Sequence, residues 1–512
     1  MDENDGSNGA GGEWRRDERP RWKVLDPTRV PKEDLPASED PEAGATDDVR
    51  IYSTVYVADE LIVRGSSRGE VLDRIGGLEE VARRAGWTLS PRELEDGRTS
   101  TRTPTMRARL SVAPTGLTEV TAQTPDAWDV LRQARRNADG SADGVSLNHV
   151  LTTDTYGVNP FKANPFKANP FKANPFKANP FKANAAGVGI DSYGSPGFGG
   201  RQPVTYLGPD PVADPHGARP VVAIFDTGLG AHPWFTGDVR VDPTVPPPYG
   251  GPIGIDRPQT DPEVHPSLAV PLDGIFDDAS GHGTFIAGII RQECAQARIL
   301  PVRVADGEGV IIETELIAAL ARLLEYVERG ETVDVLNLSF SFYHETPFYP
   351  STISEIKDHL TTLRDDYDVV IVCSAGNEAT DRPTFPAALP ATGSRHIAVG
   401  ALNPANRSVA LFSNIGSWVD VYAPGVSLVS TVPVDFDGGV QAGTRDDKIG
   451  RRRETLDVDD FRGGFGVWSG TSFAAPLVAG RIAAKIAEGR GRSDAVAEVL
   501  QELDGEDHSR TA

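Results

Sequence analysis

Five short, almost unbroken apolar runs constrain this chain more than any other feature: VVAIFD (221–226), ARILPVRV (297–304), DVLNLSF (334–340), DVVIVCSAG (368–376) and HIAVGAL (396–402). Runs without polar alternation are the pattern of strands covered on both faces, as in a parallel sheet. Parallel neighbours need crossover helices. The segment Thr314 to Arg329 supplies one, with Leu316, Leu320, Leu323, Leu324 and Val327 recurring at helical spacing. The expected fold class is therefore α/β, a three-layer sandwich with a mostly parallel sheet. Its functional residues should lie at strand ends and helix starts.

Four residues in such places carry chemistry: Asp226 closing the first run, His282 in SGHGTFIAG, Asn377 in CSAGNEA and Ser472 in WSGTSFAAP. A serine hydroxyl becomes a nucleophile only with a base beside it, and the base needs a carboxylate to hold its tautomer. A side-chain amide can donate to the oxyanion that forms. Each residue also has a plainer reading. Asp226 fits a strand-end turn, His282 the approach to a helix at FIAGII, Ser472 an N-cap for FAAPLVAGRIAAKIAEG, and Asn377 a turn after Gly376. The Asp226-Thr227-Gly228 tripeptide also suits an aspartic protease. That needs a second such aspartate, and with no other DTG or DSG here only a homodimeric version survives.

The order Asp, His, Ser with these flanks resembles the subtilisin-like serine endopeptidases, the subtilases, over residues 219 to about 490. The resemblance implies that Asp226 orients His282, that His282 is general base and then acid, and that Ser472 is the nucleophile. Asn377 and the Ser472 N–H would form the oxyanion hole. It also implies that an extended peptide pairs beside Leu338, Ser339, Phe340 and Ser341, while Ser374, Ala375 and Gly376 wall a specificity pocket. The resemblance leads to an expectation of glycine in many relatives at the position of Ser341. Subtilases often bind calcium, but no Asp-rich loop here matches well enough to name ligands, and Cys and His spacing supports no metal site. The expected partners are protein or peptide substrates. The different-class alternative is a catalytically silent, peptide-binding scaffold that keeps the fold.

Acidic residues outnumber basic ones, 74 to 51, for a net charge of −23. That balance disfavours nucleic acid or an anionic membrane as the main partner. With no apolar signal-like start and no long apolar stretch, the expectation is a cytoplasmic chain without a membrane span. Cys294 and Cys373 fit two buried free thiols.

Residues 1–50 are polar and Pro-rich, so disorder is expected there. Residues 51–152 read as a small α/β module: strands at VYVADELIVRG, MRARLSV and SLNHVLT, a helix over Gly69–Gly86 with Val71, Ile75, Leu78 and Ala82 on one face, and another starting at Thr124-Pro125. Placed before a subtilase-like domain, it resembles a pro-domain that would act as an intramolecular inhibitor, with the tail after its last strand lying in the substrate cleft as a product-like peptide; an unrelated interaction module is the alternative. A flexible linker is expected over 153–218. It includes NPFKA repeated five times at 159–183, whose regular prolines favour an extended tether. The catalytic domain is expected over 219–490, followed by a C-terminal helix and tail at 491–512. The polar stretch with Arg451, Arg452 and Arg453 reads as a solvated loop or as a rim that narrows substrate choice.

Overall fold

The computed structural model describes residues 21–25, 53–94, 104–114, 124–136, 142–154, 190–195, 199–248, 250–268, 274–345, 354–389 and 395–509. The NPFKA repeats, most of residues 1–50 and residues 510–512 lie outside them.

The N-terminal module contains β1 (Trp22–Leu25), β2 (Thr54–Arg64), α1 (Arg68–Arg84), β3 (Trp87–Glu93), β4 (Thr105–Val112), α2 (Ala127–Arg136) and β5 (Val145–Thr153). Its strands run antiparallel in the order β5-β2-β4-β3. Ser67 caps α1 by accepting from the Glu70 N–H, and the Glu70 carboxylate accepts from the Ser66 N–H at 2.8 Å. The apolar faces of α1 and α2, including Ile75, Leu78, Trp128 and Leu131, pack with Leu61, Leu110 and Leu147 of the sheet.

One element differs from expectation. Trp22–Leu25, inside the stretch expected to be disordered, pairs with the first part of β2, and Leu25 is buried in the module core. Pairing there satisfies backbone groups that β2 would otherwise leave open. Pro91 argues against a strand, yet β3 is the edge of its sheet, where a missing donor costs no ladder bond.

The second domain brings β6 (Gln202–Pro203), β7 (Val221–Asp226), α3 (His282–Glu293), β8 (Arg298–Arg303), β9 (Val310–Ile312), α4 (Glu313–Glu328), β10 (Val335–Leu338) and β11 (Phe340–Ser341). It continues with α5 (Ser354–Asp365), β12 (Val370–Ser374), β13 (His396–Leu402), β14 (Val421–Pro424), β15 (Leu428–Thr431), β16 (Arg445–Lys448) and β17 (Arg451–Glu454). It closes with β18 (Phe465–Trp468), α6 (Thr471–Ala487) and α7 (Arg492–Glu506).

Six strands form an all-parallel sheet in the order β14-β13-β12-β10-β7-β8. Successive residues of β7 point to opposite faces. Val222 and Ile224 join the core with α3, α6 and α7, whereas Val221, Ala223 and Phe225 join the core with α4 and α5. This is the three-layer α/β sandwich. The strands that follow β7 in sequence flank it on either side, so the order reverses there, and the crevice beyond the carboxyl ends of β7 and β10 is where such sheets bind ligands.

The α7 helix is part of this body, since Ala495, Val496, Val499 and Leu503 are buried in the same core as α6. The linker region is also docked in part. Gln202 and Pro203 pair with β18, and Tyr206 stacks on Phe465 at 4.5 Å. The triple arginine lies on the exposed β16–β17 hairpin, where Arg452 and Arg453 face Asp447 and Asp446 across the strands.

The two domains meet through β5. Its first part pairs with β2, Val150–Thr152 pairs with β9, and Thr152–Thr153 pairs with β11.

Candidate active site

Asp226 ends β7, His282 begins α3 and Ser472 lies in the first turn of α6. The start of α3 can approach the β7 loop because residue 283 is glycine: a Cβ there would sit 2.2 Å from the Gly228 carbonyl oxygen. His282 Nδ1 lies 2.7 Å from Asp226 Oδ1, and His282 Nε2 lies 3.0 Å from Ser472 Oγ. The Thr227 N–H donates to the same Asp226 oxygen at 2.8 Å. All three side chains are buried.

Helix geometry also explains Ser339. Pro476 has no N–H to donate to the carbonyl four residues back, that of Ser472. The Ser339 hydroxyl donates to that carbonyl instead, at 2.9 Å, tying β10's end to the nucleophile's helix.

Asn377 follows Gly376, whose φ of +97° needs glycine; a Cβ would also meet Asn414 Nδ2 at 2.4 Å. The Asn377 side-chain oxygen, Oδ1, accepts from the Thr471 N–H and hydroxyl at 3.0 and 2.9 Å, which fixes the direction of its NH2 group. That NH2 donates to the Asp154 carbonyl oxygen at 2.5 Å. The Ser472 N–H donates to the same oxygen at 3.2 Å, and Ser472 Oγ lies 2.5 Å from it. Two donors and the hydroxyl thus converge on one main-chain carbonyl, at the end of β5.

The remaining expected site residues divide. Ser339 and Phe340 meet the β5 tail through backbone, with the Asp154 N–H donating to Ser339 O at 3.1 Å and Phe340 registered with Thr153. Ser341 and Ser374 hydroxyls donate to the two oxygens of the Asp154 carboxylate, at 2.6 and 2.5 Å. Gly376 accepts from the Asn414 N–H, and the Ala375 carbonyl is taken by Thr384 and Asn414. Leu338 corrects the expectation: it lies in the middle of the sheet between Phe225 and Cys373, with its side chain in the core. It supports the strand rather than lining the cleft.

Sequence reasoning missed three groups. The tail after SLNHVLT is expected in the cleft, but Asp154 itself carries no local signature because its partners, Ser341, Ser374 and Asn377, lie far away in sequence. Glu263 lies in the long connection before His282. It is fully buried and accepts from the Thr227 hydroxyl at 2.5 Å, the Gly283 N–H at 3.1 Å and the Thr284 hydroxyl at 2.5 Å. Burial pushes its carboxyl up to about 7, against the opposing hydrogen bonds.

The third group surrounds His149 of β5, buried with Nδ1 2.6 Å from Glu313 and Nε2 2.9 Å from Glu345. Burial alone would lower its pKa, but the two carboxylates push it up to about 10. Burial would raise the pKa of Glu345, yet His344, His149 and Arg135 hold it well below the usual range. His149, His344 and Glu345 also have ligand-type atoms within 4.8 Å of one another, the one such group among the described residues. Both His149 nitrogens already face carboxylates, so the cluster is accounted for by ion pairing.

Residues 217–501, more than half of the chain, match the family model described as Peptidase_S8, Subtilase family. The chain belongs to the subtilase family. Its relatives include Subtilisin NAT of Bacillus subtilis subsp. natto, 29% identical over 217 residues, covering 41% of this chain and 46% of that protein. Another is the Intracellular serine protease of Paenibacillus polymyxa, 27% identical over 273 residues, covering 51% of this chain and 65% of that protein. The match to Subtilisin NAT thus spans about half of that relative's length. A solved structure titled as a cold adapted subtilisin-like serine proteinase aligns at 22% identity with a TM-score of 0.37, over 58% of this chain and 82% of that one. Among the described residues no helix is long and apolar enough to cross a membrane.

Proposed function

We propose that this subtilase is a serine endopeptidase restrained in cis by its own N-terminal module. The observation that carries the reading is the Asp154 carbonyl, which receives hydrogen bonds from Asn377 and the Ser472 N–H while Ser472 Oγ lies beside it. Those are the contacts a tetrahedral oxyanion would need. In the reaction, His282 takes the Ser472 proton as the hydroxyl adds to a substrate carbonyl, and Asp226 stabilises the imidazolium. The proton then passes to the leaving amine, and water releases the acyl group by the same route in reverse. Side chains and backbone of this chain carry every step, so the proposed mechanism needs no cofactor.

Restraint follows from the same contacts. While β5 fills the cleft, an external peptide cannot make the β9 and β11 pairings that β5 already makes. Because the module is covalently attached, it rebinds at a high effective concentration. Substrates are proposed to be proteins or peptides held by main chain. The name of the P. polymyxa relative and two buried free cysteines support an intracellular setting.

Fluorophosphonate labelling of the full-length chain tests both parts. Wild type should label at Ser472 slowly, Ser472→Ala should not label, and His149→Ala should label faster because the module's hold is weakened. No Ser472-dependent labelling in either wild type or His149→Ala would favour a silent scaffold. Equal labelling rates in the two would remove the cis restraint.

A further inference from the structure

The residue whose carbonyl sits between Asn377 and Ser472 must place its side chain in the pocket that reads substrates on the acyl side of the bond. Here that residue is an aspartate, 2% exposed, and each carboxyl oxygen has its own hydroxyl donor, Ser341 on one side and Ser374 on the other. A second carboxylate, that of Glu378, lies near enough to raise the Asp154 carboxyl and is itself held by polar partners. Glu378 accepts from the Tyr343 hydroxyl and from Asn414 Nδ2, both at 2.9 Å. Tyr343 in turn lies under the Arg382 guanidinium at 4.3 Å. A leucine or phenylalanine in this space would bury two serine hydroxyls without partners, and sites built to hydrogen-bond a polar group discriminate strongly against analogues lacking it. A glutamate would carry its carboxyl one methylene too far for the spacing set by the two serines.

We propose that the pocket formed by Ser341 and Ser374 selects aspartate, so that the enzyme cleaves peptide bonds on the carboxyl side of aspartate and the bond between Asp154 and Thr155 is its first substrate. The inference rests on the endopeptidase reading above and adds the substrate class. The step balances without a co-reactant other than water. Ser472 Oγ bonds to the Asp154 carbonyl carbon and its proton moves to His282 Nε2; the carbon–nitrogen bond to Thr155 breaks and the new amine takes that proton. Water then adds to the ester, freeing the Asp154 α-carboxylate and restoring Ser472. Burial and the neighbouring Glu378 push the Asp154 side-chain carboxyl well above the usual range.

The test uses the purified full-length chain followed by intact-mass measurement over time. Wild type should split into fragments ending at Asp154 and beginning at Thr155, Ser472→Ala should stay whole, and Asp154→Leu should slow cleavage at that bond at least tenfold. In trans, peptides differing only at the residue before the scissile bond should show at least tenfold higher kcat/KM for aspartate than for leucine. Ser341→Gly and Ser374→Ala should each shrink that ratio, which a merely structural role would not do. Undiminished cleavage of Asp154→Leu at the same bond, or equal turnover of the two peptides, would overturn the aspartate proposal while leaving a Ser472-dependent endopeptidase in place. Absence of any Ser472-dependent hydrolysis would overturn the endopeptidase reading and this inference with it.

Discussion

Two buried histidines in this molecule begin from the same position and do different work. His282 and His149 are both inaccessible to solvent, and each has a carboxylate at Nδ1, Asp226 at 2.7 Å and Glu313 at 2.6 Å. They part at Nε2. His282 faces the Ser472 hydroxyl at 3.0 Å, whereas His149 faces a second carboxylate, Glu345, at 2.9 Å. An imidazole beside a hydroxyl can take its proton; one clamped between two carboxylates keeps its own and serves as a fixed cation. In the proposed mechanism a single change of partner at one nitrogen thus separates a base from a latch, and the proposed latch sits on β5, whose end meets Asn377 and Ser472.

The largest effect should come from the catalytic side of this pair. Ser472→Ala or His282→Ala should each lower peptide hydrolysis by about 10⁶-fold, because triad members act as a unit. Thermal unfolding should show the fold intact. Asn377→Ala leaves both histidines in place but removes a donor to the oxyanion, and kcat should fall about 10²- to 10³-fold, the scale seen for this donor in subtilisin itself. A loss in KM alone would show that Asn377 only helps hold β5.

The latch side should respond in stability rather than chemistry. His149→Ala leaves Glu313 and Glu345 buried without the cation between them, and breaking a buried pair costs about 3 to 5 kcal/mol. We expect about 3 kcal/mol, the lower end of that range, because Arg135 still lies 2.9 Å from Glu345 and His344 3.4 Å. Denaturant unfolding of the full-length Ser472→Ala chain, with and without His149→Ala, measures this. A difference under about 1 kcal/mol, the scale of an exposed pair, would mean that His149 is not a latch.

The same cluster sets a pH window. His149 rises in the folded state from 6.5 to about 10, so its contribution is complete below 6.5 and disappears as pH climbs through 10. Glu345 lies well below 4.5, so its contribution is complete above 4.5 and fades as pH falls further. Glu313, Glu345 and His344 are the titratable groups facing His149, with Arg135 behind Glu345. The difference in unfolding temperature between the Ser472→Ala chain and its His149→Gln derivative should therefore be widest between pH 4.5 and 6.5 and close toward pH 10. A gap that widens with rising pH would reverse the assignment.

How much of this could be read in the sequence follows from the range of the interactions. The runs at 221–226, 297–304, 334–340, 368–376 and 396–402 correspond to β7, β8, β10, β12 and β13, because a strand covered on both faces is apolar at most of its positions. Trp22–Leu25 has no readable strand signature because a four-residue strand in a polar context is stabilised by its partner strand and not by its own pattern. Asp226, His282, Asn377 and Ser472 were nameable because their local contexts are specific. Asp154, His149 and Glu263 act through partners distant in sequence, and no periodicity records that. The motif around Leu338 suggests a cleft residue, whereas the parallel register with Phe225 and Cys373 puts it mid-sheet and its side chain is in the core.

Glu263 offers the smallest and sharpest contrast, a buried carboxyl that belongs to neither histidine. It accepts from Thr227 beside Asp226 and from Thr284 and the Gly283 N–H beside His282, so it joins the two segments that carry these residues. Its folded-state value is raised from 4.5 to about 7, chiefly by burial, so the folded chain holds this proton more tightly than the unfolded chain. Stability must then fall as pH rises from 4.5 to about 7 and stay lower above it, opposite in sign to the contribution of Glu345. Glu263→Gln keeps an acceptor for the Gly283 N–H and removes the charge, so that loss should vanish. Relative to the parent, the variant's unfolding temperature should improve steadily between pH 4.5 and 7, with kcat/KM changed by less than about threefold, an energy near 0.6 kcal/mol. If the relative unfolding temperature were flat across that window, the proton on Glu263 would not be coupled to folding. A loss of activity approaching that of Asn377→Ala would instead make Glu263 a positioning residue for the Asp226–His282 pair.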